Sequence, residues 1–152
     1  MAQDLKELLS ALNAHHVKYL VVGGYAVGVY AEPRATKDLD IFIKADDLNS
    51  EAVFRALAAY GAPLTGYTPA DFNDGGSWFQ MGQPPHRIDI LQHIDSVDFD
   101  EAWANRVETV IDGEVPAHVI SRDDLIRNKL HVGRPRDLLD VAELREAATH
   151  NR

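Results

Sequence analysis

Three aspartates in two short apolar segments are the residues whose types and spacing could do chemistry. Asp38 and Asp40 stand two apart in the segment DLDIFIK, and Asp89 stands in the segment RIDIL. Side chains alternate along a strand, so Asp38 and Asp40 point to one face of it. Carboxylates this close repel each other unless a cation relieves them. If the two strands are neighbours, the three carboxylates form one patch of hard oxygen atoms that suits Mg²⁺ or Mn²⁺.

A glycine pair supplies a second feature. Gly23 and Gly24 follow the apolar run VKYLVV and precede a segment, 25–30, that is compatible with a short helix. Glycines at the start of a helix let a ligand approach the backbone, where free N–H groups and the helix dipole attract phosphate. A phosphate cradle beside a metal-binding carboxylate cluster is what metal-assisted nucleotidyl transfer requires.

Hydrophobic periodicity predicts the elements that position these residues. Leucines spaced three and four apart indicate a first helix, and Asp112-Gly113 between two β-rich runs is a hairpin signal. The predicted helices are 4–15, 25–30, 48–60, 99–106, 122–131 and 136–148, and the predicted strands are 17–22, 38–44, 77–81, 87–92, 107–111 and 115–120. We therefore expect a single α/β or α+β domain over 1–152, with helices mainly on the sheet face opposite the carboxylates.

The whole pattern resembles the nucleotidyltransferase superfamily that includes DNA polymerase β. The signature of that superfamily is an apolar strand, Gly-Gly or Gly-Ser, a spacer, Asp-apolar-Asp and a later lone Asp, matched here by Gly23-Gly24, Asp38, Asp40 and Asp89. The C-terminal segments DDLIRNK and RPRDLLD are similar to small bacterial members, among them the AbiEii-type toxins. The resemblance spans residues 17–144 and implies a palm with a mixed sheet, flanking helices and two C-terminal helices.

The resemblance also implies roles for individual residues. Asp38 and Asp40 would hold two Mg²⁺ or Mn²⁺ ions, and Asp89 would complete the metal site and help to deprotonate an acceptor hydroxyl. Gly23 and Gly24 would contact the β- and γ-phosphates of a nucleoside triphosphate. Further nucleotide contacts would come from basic side chains: Arg34, Lys37 and Lys129. The reaction would be in-line attack on the α-phosphate, with release of pyrophosphate.

Several alternatives stay open on the sequence alone. The acceptor could be a small molecule, a protein hydroxyl or a tRNA end, and a role as a toxin of a toxin–antitoxin pair follows from resemblance only. Two alternative functions would use the same residues. One is a catalytically silent module that binds nucleotides or a partner, and the other is a metal-dependent phosphodiesterase. A lone palm leaves little room for an acceptor site, so a homodimer or a partner subunit is a further hypothesis.

Composition narrows the class of protein. The chain has 24 acidic residues against 15 Lys and Arg, a formal net charge of −9, and a surface this acidic disfavours nonspecific binding to nucleic acid. A local basic cluster, RNKLHVGRPR at 127–136, could still accept tRNA.

The absence of cysteine excludes disulfides and thiolate metal sites, and no histidine spacing indicates zinc. The longest apolar stretch, 19–31, is too short to span a membrane, so we expect a soluble, cytoplasmic protein.

Overall fold

The computed structural model describes residues 1–32, 38–83 and 86–150 of the chain. The helices are α1 (Gln3–Ala14), α2 (Gly23–Tyr30), α3 (Asp47–Tyr60), α4 (Phe99–Ala104), α5 (Arg122–Val132) and α6 (Pro135–His150), with a 3-10 helix at Pro69–Phe72. The strands are β1 (Tyr19–Val22), β2 (Asp38–Ile43), β3 (Trp78–Met81), β4 (Arg87–Leu91), β5 (Val107–Ile111) and β6 (Val115–Val119).

The six strands form one mixed sheet in the order β3-β4-β2-β1-β6-β5. The pair β1–β2 is antiparallel, whereas β1–β6 and β2–β4 are parallel. The outer pairs β3–β4 and β5–β6 are antiparallel. The mixed sheet, the flanking helices and the two C-terminal helices confirm the α+β fold expected from the sequence.

Aromatic contacts place α3 and α4 on opposite faces of the sheet. Phe72 of the 3-10 helix lies between Phe54 of α3 and Phe79 of β3, with ring centroids 6.4 and 5.4 Å away. Because Phe79 pairs with Ile90, this is the face opposite Asp89, and α1 packs beside α3 there. On the other face, Phe99 of α4 packs against Phe42 of β2 at 5.1 Å. The helices α1 and α3 thus lie on the face opposite the carboxylates, as expected from the sequence, whereas α4 lies on the carboxylate face.

Local signals in the sequence fix several element ends. The side chain of Asp46 accepts a hydrogen bond from the Asn49 amide at 2.7 Å and caps α3, which satisfies one of the free amides of its first turn. Asp112 and Gly113 both have positive φ, 53° and 68°, as the tight turn between β5 and β6 requires. The predicted hairpin is therefore present. In the described part of the chain, no helix combines the length and apolar character that crossing a membrane would demand.

Candidate active site

The parallel pairing of β2 with β4 places the three aspartates on one face of the sheet. Asp40 is directly opposite Asp89, and Asp38 is directly opposite Arg87. Asp38 and Asp40 are half-buried, whereas Asp89 is only 5% exposed. The structure thus brings together the three carboxylates that the sequence singled out, because their strands are neighbours in the register that aligns them.

Asp40 has the most perturbed carboxyl group of the site. Burial raises its pKa to about 7, and the negative charge of Asp89, a hydrogen bond with Asp89 and the charge of Asp38 act in the same direction. The nearby guanidinium of Arg87 opposes the shift without cancelling it. Below about pH 7, the metal-free site therefore retains a proton that a bound cation would displace.

Arg87 and Gln80 complete the site and were not among the sequence-predicted residues. One guanidinium nitrogen of Arg87, Nη2, lies 3.2 Å from Asp38 Oδ2 and 3.2 Å from Asp89 Oδ2. Gln80 Nε2 donates a hydrogen bond of 2.9 Å to Asp89 Oδ1. Arg87 had a signal in the sequence, because a residue two before Asp89 on a strand shares its face. Gln80 had none, since its place depends on how β3 pairs with β4.

The glycine pair adjoins the carboxylates directly. Val22, the last residue of β1, pairs with Asp40, and Gly23 then begins α2 with a φ of +67°. A Cβ atom built on Gly23 would lie 3.2 Å from Asp40 Cγ and closer still to its Oδ2. The N-cap residue of α2 is Val22, whose side chain offers the first turn no capping hydrogen bond, so this helix start has the character of an anion-binding position. A side chain at position 23 would combine a strained positive φ with crowding of the Asp40 carboxyl group, so glycine is favoured there.

Of the three basic residues expected to contact nucleotide, only Lys129 lies within the described residues, and it is buried in ion pairs. Lys129 is 8% exposed, and its Nζ lies 2.9 Å from Asp140 Oδ2 and 3.4 Å from Asp137 Oδ1. Arg134 Nε also bonds Asp137, at 2.7 Å. The two ion pairs of Lys129 join α5 to α6, and Asp140 is only 3% exposed. The other two candidates, Arg34 and Lys37, lie outside the described residues.

The donor set of the site suits a hard divalent cation, since it consists of three carboxylates without nitrogen or sulfur ligands. As they stand, however, no three Asp, Glu or His side chains within 1–32, 38–83 and 86–150 are arranged to hold a metal ion. The position between Asp38 and Asp89 is taken by the guanidinium of Arg87. The residues fit Mg²⁺ or Mn²⁺ on condition that this guanidinium moves.

A strand that runs into a glycine-started helix beside three carboxylates is the arrangement that the resemblance to nucleotidyltransferases implied, and it defines the class. The chain belongs to the family described as "Nucleotidyltransferase of unknown function (DUF6036)", whose model matches residues 1–147. No curated protein matches the chain. The family description supports a nucleotidyltransferase in this broad sense and specifies neither metal, donor nor acceptor.

Proposed function

We propose that this protein is a Mg²⁺-dependent nucleotidyltransferase that transfers a nucleoside monophosphate from a nucleoside triphosphate to an acceptor hydroxyl. The observation that carries the proposal is the close approach of Gly23 to the carboxyl group of Asp40, which itself pairs with Asp89. This approach brings the start of α2, which would attract phosphate, next to a carboxylate cluster that would attract a metal ion. Neither feature alone would specify phosphoryl chemistry, but together they meet its two electrostatic needs.

Each residue of the site has a role in this reaction. The first-turn amides of Gly23 and Gly24 would bind the β- and γ-phosphates, and Asp38, Asp40 and Asp89 would hold two Mg²⁺ ions. Bound Mg²⁺ would neutralise the triphosphate and favour ionisation of the acceptor hydroxyl. Asp89 would accept the hydroxyl proton as the acceptor oxygen bonds to the α-phosphorus. The bond from the α-phosphorus to the bridging oxygen then breaks, and pyrophosphate leaves.

The sheet order indicates where the acceptor would approach. The glycine pair lies on the β1 side of β2, so the triphosphate would occupy that side of the carboxylates. The opposite side is formed by β4 and β3, where Trp78 shares the carboxylate face with Gln80 and is 59% exposed. An exposed indole can stack on a planar or sugar ring. We propose this side of Asp89 as the acceptor side, with the acceptor a small molecule, a protein or a tRNA end.

The first experiment measures thermal stability with each nucleoside triphosphate, with and without Mg²⁺. A ligand at a hundred times its Kd stabilises a fold by about 2.7 kcal/mol, which is a readily measured shift. We expect a metal-dependent shift in the wild type and none in an Asp38→Ala/Asp40→Ala variant. Asp100→Ala is the matched control, because this exposed aspartate lies on α4 and pairs with Lys44.

The same proteins then enter an acceptor screen that detects pyrophosphate. Release of pyrophosphate by the wild type, lost in Asp38→Ala, would support the transferase. If the protein instead hydrolyses a phosphodiester without any triphosphate, a metal-dependent phosphodiesterase would replace the proposed transferase. Metal-dependent binding of triphosphate without any product would favour the silent binding module. No shift with any triphosphate would overturn the proposed donor.

A further inference from the structure

The guanidinium of Arg87 holds the position that a shared metal ion would need. Its Nη2 is equidistant, at 3.2 Å, from one oxygen of Asp38 on β2 and one oxygen of Asp89 on β4. These are two of the three carboxylates of the site, and the third, Asp40, stands two residues after Asp38 on β2 and directly opposite Asp89. A Mg²⁺ ion needs oxygen ligands at 2.0–2.1 Å in a nearly octahedral arrangement. A cation that binds these two oxygens would therefore have to displace the guanidinium of Arg87.

We propose that Arg87 is the resident counter-cation of the carboxylate site and makes the site selective for a metal–triphosphate complex over a bare metal ion. This inference rests on the proposed function, since it requires that the site bind a divalent cation. In the metal-free protein Arg87 supplies one positive charge that Asp38 and Asp89 share. A divalent cation gains access to those oxygens only by displacing the guanidinium.

The selectivity follows from the balance of charge after displacement. A bare divalent cation adds two positive charges beside the guanidinium that it displaces, and the two repel each other. A metal–triphosphate complex also brings phosphate oxygens, which accept guanidinium N–H groups well. The side chain of Arg87 is 33% exposed and belongs to the first residue of β4, so it already reaches solvent at the end of the strand. The displaced guanidinium thus has a new partner only when the nucleotide arrives with the metal.

Removal of the positive charge of Arg87 should therefore raise the affinity for a bare metal ion and lower the affinity for a metal–triphosphate complex. In Arg87→Met we expect bare Mn²⁺, followed by electron paramagnetic resonance, to bind about tenfold more tightly than in the wild type. A triphosphate analogue with a methylene α–β bridge, titrated at saturating Mn²⁺, should bind about tenfold more weakly. Arg87→Gln keeps a hydrogen-bond donor without the charge and should show the same directions. It also provides a second protein if Arg87→Met does not fold.

Arg127→Met is the matched control. Arg127 pairs with Asp124 on α5 at 3.2 Å, and its loss makes the same change in net charge away from the carboxylates. We expect its two affinities to equal those of the wild type. The same changes in Arg127→Met as in Arg87→Met would assign the effect to net charge and overturn the inference.

The remaining outcomes separate this inference from the proposed function. If wild type and Arg87 variants bind Mn²⁺ equally, or the variants bind it more weakly, Arg87 is not a competitor and the inference fails alone. If the variants bind both Mn²⁺ and the analogue more tightly, Arg87 competes with metal but confers no selectivity, and the proposal fails in that form. If neither protein binds Mn²⁺ at all, both the inference and the proposed metal-dependent function are overturned.

Discussion

Asp40 on β2 and Asp89 on β4 are directly opposite each other in a parallel strand pair, so both stand on one face of the sheet. Two carboxyl groups held this close on one face do not both ionise readily, because each negative charge disfavours the other. The metal-free site therefore combines a retained proton with the positive charge of Arg87. We propose that an incoming cation displaces both, and the predictions below follow from this competition and from the packing around it.

Without metal, the contribution of Asp40 to the stability of the protein should fall as pH rises from about 4 to about 7. The raised pKa of Asp40, about 7 against 3.8 for the ordinary group, means that the folded state binds more protons than the unfolded state in this window. Asp40→Asn mimics the protonated carboxyl and should remove this dependence on pH. Thermal denaturation in EDTA should show the Asp40→Asn variant gaining on the wild type between pH 5 and pH 8. A difference between the two proteins that stays constant with pH would contradict the prediction.

Metal binding should release a proton from the wild type in slightly acidic solution. At pH 6 the Asp40 carboxyl is mostly protonated, so a divalent cation that takes its oxygens displaces close to one proton, a number that falls toward ~0 at pH 8.5. Titration calorimetry with Mg²⁺ in buffers of different ionisation enthalpy counts the protons. An identical proton count at both pH values would show that Asp40 is not a ligand.

Gly23→Ala should destabilise the protein more than Gly66→Ala. Both glycines have positive φ, +67° and +85°, and an alanine in that region costs about 1–2 kcal/mol. Only at Gly23 does the added Cβ also meet Asp40, whereas it meets nothing within 4 Å at Gly66. Urea denaturation measures the difference, and the triphosphate-dependent thermal shift should be lost in Gly23→Ala alone. Equal losses of stability at the two positions would argue against the close approach.

Lys129→Met should cost about 3 kcal/mol of stability, because it leaves two buried aspartates, Asp137 and Asp140, without their shared cation. Arg134→Met should cost less, since the side chain of Arg134 is 64% exposed. Chemical denaturation measures both variants. Addition of Asp140→Asn to Lys129→Met should recover part of the loss, as a double-mutant cycle would show.

The proposed contact of Lys129 with nucleotide is tested on the same protein. If Lys129→Met keeps its fold and the triphosphate-dependent shift is unchanged, its role is to join α5 to α6. If the shift is lost while the fold is retained, Lys129 exchanges its aspartate partners for phosphate. A stability equal to that of the wild type would contradict the buried ion pairs themselves.

Local patterns predicted nearly every element of the fold. The leucine spacing of α1, the alternation of β2 and the Asp112-Gly113 turn each depend on residues close in the chain, and their bounds fall within a few positions of those expected. The Gly-Gly pair is one exception, because it begins α2 itself where the sequence suggested a break before the helix. The alternation of side chains also placed Asp38 and Asp40 on one face without any tertiary information.

What the sequence determined by itself is thus the set of elements and the face on which each aspartate stands. Only the tertiary structure decided that β2 and β4 are neighbours in the register that sets Asp40 against Asp89, that Gln80 reaches Asp89 from β3, and that Lys129 is buried between two aspartates. The physical reason is the range of the interactions. Strand alternation and helix capping are set within a few residues of chain, whereas strand order, register and the burial of charge depend on contacts between distant segments.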